Sequence, residues 1–321
     1  IDYTLPAPPA LEKYIEATEA LLEEIHHAMS ASFWQDIDPT KAAEAGFNPF
    51  TSGAALREPI FYGGESAYSF QYRDFSPVKY ANDDTWLITN KGFSIQDARN
   101  VVLAISQLQD EKVMSVMRAM HGTPQETWTL LPGNAFSVQE VADYGHINPE
   151  IVGKILSAFA VPTGAHNEQF KALHDFNIAN ASPLIRMPDG NFLLFHIYSL
   201  VEALYEAPFY WMGADKAYAS TAMQNRGVFT EQFAVERLRK VFGAENVIAN
   251  IDIYESKDTK LAEIDVLVLF GNRALVLQAK SKRLTLEARR GNDLQIKDDF
   301  KKSIQDSSDQ AYRCAKLIEE S

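Results

Sequence analysis

Apolar residues recur at helical spacing through residues 9–30, PALEKYIEATEALLEEIHHAMS, and predict an amphipathic helix there. Residues 60–75, IFYGGESAYSFQYRDF, alternate with period two around Gly63–Gly64 and predict a hairpin, with Tyr68, Phe70 and Tyr72 on its core face rather than forming a base-stacking platform. TWLITN, residues 85–90, predicts a further strand. From Ser94, SIQDARNVVLAISQLQ opens with a Ser94–Asp97 capping box and predicts a helix. PLIRMPDGNFLLF, residues 183–195, predicts a second hairpin turning at Pro188–Gly190, and a long helix follows through YSLVEALYEA. Residues 137–159, SVQEVADYGHINPEIVGKILSAF, have a helix–turn–helix cadence, with Asn148 and Pro149 opening the second helix. That second helix offers only Glu150 and Lys154, whereas DNA recognition needs donors for bases and phosphates, so a plain helical hairpin is expected.

From residue 229 the pattern changes to helix, three strands, helix. TEQFAVERLRKVF is the helix, with Thr230 as its N-cap and Ala234, Val235, Leu238, Val241 and Phe242 as its apolar face. NVIANIDIY is a strand. LAEIDVLVLF and RALVLQAK are two further apolar runs joined at Gly271–Asn272–Arg273, and a helix is expected over about 294–319. Both runs are apolar on both faces, as central strands covered on each side would be.

Length and charge divide the chain in the same place. A chain of 321 residues exceeds what one core usually serves. Residues from 221 onward hold 17 Lys/Arg and 16 Asp/Glu, a net +1, whereas the first 220 hold 13 and 27, a net −14. The expected organisation is an acidic, mainly helical α+β domain over 1–220, with short hairpins, and an α/β domain over 221–321. The acidic part would repel a polyanion, so it is expected to bind protein, to self-associate or to regulate the second part.

One cysteine, Cys314, excludes a disulfide framework or a zinc ribbon and fits a reducing cytoplasm. His26 and His27 are adjacent on a helix, so they point apart and make a poor metal pair. No signal peptide or membrane-spanning segment is evident, since His196, Glu202 and Glu206 interrupt the most apolar stretch.

Candidate chemistry lies in the back part, where charges enter apolar elements. Glu231 falls on the apolar face of its helix, and Glu236 on the opposite side. Asp265 interrupts one apolar run; Gln278 and Lys280, two apart, share a face of the other, while Glu263 lies at a strand entrance and is expected to be exposed. A buried Asp–Lys ion pair is one reading, though such pairs stabilise weakly. A divalent-metal site is the other. Asp265, the Gln278 side chain and the Ala279 carbonyl supply hard oxygen ligands, with Glu231 joining directly or through water, and Mg²⁺ or Mn²⁺ suits such a set. Lys280 beside it would favour phosphodiester hydrolysis.

This ordered set resembles the PD-(D/E)XK restriction-endonuclease-like nuclease superfamily, especially its Mrr-type and nuclease-related-domain branches. The matching residues are Glu231 on the first helix, Asp265 in EIDVLVL, and Gln278 with Lys280 in LQAK. The resemblance covers about 100 residues and implies an α-β-β-β-α core with a mixed sheet, a Mg²⁺-dependent endonuclease, DNA as substrate, and a role for Gln310 on the following helix. It leaves open a catalytically weak binding or assembly module, because Gln278 replaces the more usual acid. The superfamily core also has a further strand, which would begin where the sequence reaches Ser321; that strand is expected from elsewhere or from a longer protein. Lys282, Arg283, Arg289 and Arg290, with Lys301 and Lys302, would form a phosphate track, and antiphage defence would suit the design.

Overall fold

A computed structural model describes residues 11–35, 40, 48, 67–124, 127–165, 167–168, 170–171, 175, 177–282, 285–289 and 292–320. In chain order the helices up to the third strand are α1 (Leu11–Gln35), α2 (Ser69–Lys79), α3 (Asp84–Lys91), α4 (Ile95–Met120), α5 (Leu131–Asn134), α6 (Val138–Gly145), α7 (Pro149–Ala158) and α8 (Ile178–Ala181). Among them lie β1 (Ala135–Phe136), β2 (Ile185–Arg186) and β3 (Phe192–Leu193), and α9 (Ile197–Ala214) and α10 (Ala219–Phe242) follow. The remainder is β4 (Val247–Ser256), β5 (Thr259–Phe270), β6 (Arg273–Leu277), α11 (Leu286–Arg289), α12 (Asp293–Phe300), a π-helical turn at Lys301–Gln305, and α13 (Asp306–Glu319). The chain forms two compact units, one taking in Glu65–Ala222 and the other Met223–Ser321. The boundary falls inside α10, so no Pro/Gly linker marks it in the sequence.

In the first unit, α4 supplies Val101, Val102 and Ile105 to a core completed by Leu200 and Leu204 of α9 and by Val152, Ile155 and Leu156 of α7. The capping box forms: Ser94 Oγ accepts from the Asp97 N–H at 3.0 Å, and Asp97 Oδ2 accepts from the Ser94 N–H at 3.0 Å. Asn148 caps α7 by accepting from the Glu150 N–H at 2.8 Å, with Pro149 at the first helical position. α6 and α7 bury Val141, Ala142 and Leu156, as a helical hairpin does. The second hairpin also forms, with β3 between β1 and β2 in an antiparallel sheet and Gly190 at φ +86° in its turn.

Two strand expectations are overturned. Residues 69–79 are helical, and Gly63–Gly64 lies outside the described residues. The buried positions are Tyr72, Ser76, Lys79 and Tyr80, a helical spacing that the alternation of Tyr68, Phe70 and Tyr72 obscures. Tyr68 and Phe70 instead stack on each other outside the core, centroids 5.7 Å apart. TWLITN lies within α3, which ends where Gly92 takes φ +79° and its N–H reaches the Leu87 and Ile88 carbonyls. A helix exposing Ile88 and burying Leu87 overrides the β-branched composition.

The second unit holds the sheet β4-β5-β6, antiparallel throughout rather than mixed among the described residues. A mixed sheet needs a parallel partner reached by a crossover, and here all three strands follow as hairpins. β5 is the central strand, and β6 lies at an edge with Arg273, Ala274 and Leu275 exposed. One face of β5 packs Val266 and Val268 against Val235, Leu238 and Phe242 of α10. Ile264 and Leu267 pack with Cys314 and Ile318 of α13. Two further expectations change. Thr230 is interior to α10, not its cap; its hydroxyl donates to the Arg226 carbonyl at 2.9 Å, which satisfies it without ending the helix. Val241 is 73% exposed, one position past the face that Leu238 and Phe242 bury.

Leu204→Ala, at a fully buried position, is expected to cost about 2–5 kcal/mol of unfolding free energy. Val241→Ala should stay within about 0.5 kcal/mol. Urea denaturation of the two variants checks both values.

Candidate active site

The site is built where the β4-β5-β6 ladder is interrupted. Asp265 lies mid-strand in β5, 8% exposed, between fully buried Ile264 and Val266. On one side, the β4 register runs Ala249↔Val266 and Ile251↔Ile264, and Asn250 between them takes φ +53°. A left-handed residue cannot continue the ladder, and asparagine is among the few side chains that tolerate that conformation. On the other side, the last β5–β6 pair is Val266↔Leu277, and the strand ends there. Gln278 and Lys280 therefore lie outside the strand on which their two-residue spacing placed them. The Asp265 carboxylate captures the Ala279 N–H at 2.7 Å through Oδ2, so the chain leaves the ladder and folds over Asp265.

That departure carries Gln278 into place. Its Nε2 donates to the Glu263 backbone carbonyl at 2.8 Å, while its Oε1 is buried with no hydrogen-bond partner. The same carbonyl accepts from Gln310 Nε2 of α13 at 3.3 Å and from the buried Cys314 thiol at 3.4 Å. Gln310 Oε1 in turn lies 3.5 Å from Lys280 Nζ, at the limit of a hydrogen bond. Gln278, Gln310 and Lys280 are thus joined through Glu263 O. Sequence reading had set Glu263 aside as exposed, and its side chain is exposed, paired with Lys260 at 2.6 Å. Its backbone carbonyl, which no side-chain pattern reveals, organises the site. Cys314 was missed as well: burial and the Asp265 charge push its thiol up, keeping it a neutral donor.

Glu231 stands one helical turn before the buried Val235 on α10. Burial first, then the negative charges of Asp265 and Glu263, push its carboxyl above the usual glutamate range, with Lys280 pulling the other way. Electrostatically, then, Glu231, Asp265 and Lys280 share one neighbourhood. Glu236 is exposed, as its helical phase required.

The basic residues divide. Lys282 pairs with Asp299 at 2.7 Å, and Asp299 also accepts from the Thr285 N–H at 2.6 Å and hydroxyl at 2.8 Å. Burial pushes the Asp299 carboxyl up, but the Lys282 and Thr285 donors prevail and hold it below the usual range. Lys282 is thereby committed to anchoring the segment after the site. Lys302 pairs with Asp298 at 2.8 Å one turn away. Arg283 and Arg290, like the side chain of Arg289, lie outside the described residues.

Among the described residues no three His, Cys, Asp or Glu side chains group closely enough to hold a metal ion. The donor set available is of another kind: the unused Asp265 oxygen, the unpartnered Gln278 Oε1 and the Glu231 carboxyl, beside the Ala279 backbone. A buried amide oxygen without a donor costs about 1–3 kcal/mol, which a cation facing it would offset.

Residues 226–321 match the family model of the nuclease-related domain. The C-terminal part is nuclease-like. The matched nuclease-related segment takes in Glu231, Asp265, Gln278, Lys280 and Gln310 and nothing before Arg226. No curated protein and no solved structure matches the chain. Among the described residues no helix is long and apolar enough to cross a membrane.

The raised Glu231 carboxyl sets a sign for pH dependence. A carboxyl raised on folding favours the folded state while protonated, and that contribution is lost as pH rises through its folded value. Glu231→Gln, measured in chelator by urea denaturation, should therefore gain stability relative to the parent over the pH interval that begins at the ordinary glutamate value, about 4. A difference that stayed constant across that interval would mean that Glu231 ionises without opposition.

Proposed function

We propose that the nuclease-related part is a divalent-metal-dependent endonuclease that hydrolyses phosphodiester bonds, with DNA as substrate. The observation that carries this reading is the buried, unpartnered Gln278 Oε1 beside Asp265, with Lys280 alongside. Asp265, Gln278 Oε1, the Ala279 carbonyl and Glu231 would hold Mg²⁺ or Mn²⁺. Such an ion supplies an acidified water and neutralises charge on the phosphate. The chain's own contributions follow from its contacts. Asp265, holding the Ala279 N–H, fixes the course of residues 278–280. Glu263 O locks the Gln278 amide so that oxygen, not nitrogen, faces the site. Gln310 steadies Lys280, whose ammonium meets the phosphate oxygens and the charge that develops on them. DNA rather than RNA is inferred by analogy with the family.

The acidic first part would regulate or target the nuclease, by binding protein or by self-association, because its net −14 opposes a phosphate backbone. Action in the cytoplasm, against foreign DNA, suits this division. A second reading, a nuclease-fold module that binds without cutting, rests on the neutral Gln278 where an acid would strengthen ion binding.

Incubating the full chain with circular and linear DNA and with RNA, in Mg²⁺ or Mn²⁺, decides between them. Cleavage is expected with DNA, and Asp265→Asn and Lys280→Ala should each reduce it by about 10²-fold or more. Asp265→Asn retains an oxygen for the Ala279 N–H, so loss of activity without loss of fold is the expected outcome. A parent protein inert with every substrate and both ions would leave the binding module standing. Calorimetry with Mn²⁺ is a separate check: saturable binding by the parent, lost in Asp265→Asn.

A further inference from the structure

Residues 1–220 carry a net −14, yet one cleft formed among them is basic. Lys91, Lys154 and Arg186 line a cleft of about 650 Å³, and Glu150 is the carboxylate lining it among the described residues. The cleft is open to solvent, so a ligand there would be held by charge rather than by enclosure. The three cations arrive from different elements: Lys91 ends α3, Lys154 lies on α7, and Arg186 on β2. Convergence from three elements onto one cleft is not a solvated helix face.

Each cation has capacity to spare. Lys91 is partly buried, its ammonium 4.8 Å from the Trp211 ring centroid, and no carboxylate pairs with it among the described residues. Burial lowers its pKa, so the protein bears the cost of a cation without a counter-ion. Lys154 reaches Glu150 at 2.7 Å, but both side chains are solvated and such a pair exchanges at little cost. Arg186 stacks over Phe192 at 4.7 Å and gives one N–H to Ser157 Oγ at 3.1 Å, which leaves most of its five donors for other acceptors. Gly92 contributes by having no side chain: a Cβ there would fall 3.0 Å from Lys154 Cδ and 3.4 Å from its Nζ. Lys154 can therefore lie against Gly92 at the end of α3.

We infer that this cleft binds a small phosphate-bearing anion, held by Lys91, Lys154 and Arg186. Phosphate chemistry is favoured over a carboxylate because three cations facing one acid call for more than one negative charge. The site lies wholly within the first unit and does not depend on the nuclease reading. It would give the acidic part a ligand of its own, either a free polyphosphate or a nucleotide.

Calorimetric titration of the full chain with pyrophosphate and, separately, with adenosine diphosphate, in chelator and at low ionic strength, tests it. Saturable binding with one site per chain is expected for at least one of the two, and which one binds more tightly identifies the source. Lys91→Met and Arg186→Met should each weaken binding tenfold or more. Glu150→Gln removes the competing carboxylate and should tighten binding severalfold, an outcome that damage to the fold would not produce. Absence of saturable binding to both probes overturns the inference. So does binding that ignores Lys91→Met and Glu150→Gln alike, or displacement by a single-stranded oligonucleotide that itself binds more tightly than either probe.

Discussion

The site depends on a single hydrogen bond, from the Ala279 N–H to Asp265 Oδ2 at 2.7 Å. A mid-strand carboxylate with fully buried neighbours would be expensive if its oxygens faced only hydrocarbon. Here it takes the place of a ladder acceptor, and by doing so ends β6 at Leu277. The consequences run outward from that bond. Gln278 is turned so that its Nε2 meets Glu263 O, Lys280 comes within reach of Gln310, and Lys282 reaches Asp299. Removing the bond would leave β6 free to continue, and Gln278 and Lys280 would then be ordinary edge-strand side chains.

Two layers hold this arrangement from either side of β5. α10 covers one side through Val235, Leu238 and Phe242 and brings Glu231 with it. α13 covers the other through Cys314 and Ile318 and brings Gln310. The same packing that excludes water raises Glu231 above its usual range and leaves Gln278 Oε1 without a donor. Burial is thus the common cause of both features. The two units differ in kind. The first has a broad helical core around α4, and the second has two small clusters, one on each side of a three-stranded sheet.

Much of the architecture was legible in residue order because it rests on local physics. Ser94 with Asp97, Asn148 with Pro149, and the Pro188–Gly190 turn specify caps and a hairpin within a few residues, and all form. The positions of Glu231, Asp265, Gln278 and Lys280 could also be marked, since charge in an apolar run stands out wherever the chain finally goes. Local signals failed where they competed. Tyr68, Phe70 and Tyr72 alternate like a strand, but burial of Tyr72, Ser76 and Tyr80 makes the segment a helix. Thr230 has the chemistry of a cap, but its hydroxyl is satisfied in mid-helix by donating to the Arg226 carbonyl.

The sequence by itself determined which residues stand out as candidates for chemistry, where most helices and strands run, and where the charge balance changes. Only the tertiary structure decided that Gln278 leaves its oxygen without a donor, that the Glu263 backbone carbonyl gathers three donors, that Lys282 pairs with Asp299, and that Lys91, Lys154 and Arg186 line one cleft. The reason is physical. Identity and local propensity belong to the residue, whereas the direction of an amide, the partner of an ammonium and the burial of a carboxyl depend on groups brought together from distant parts of the chain.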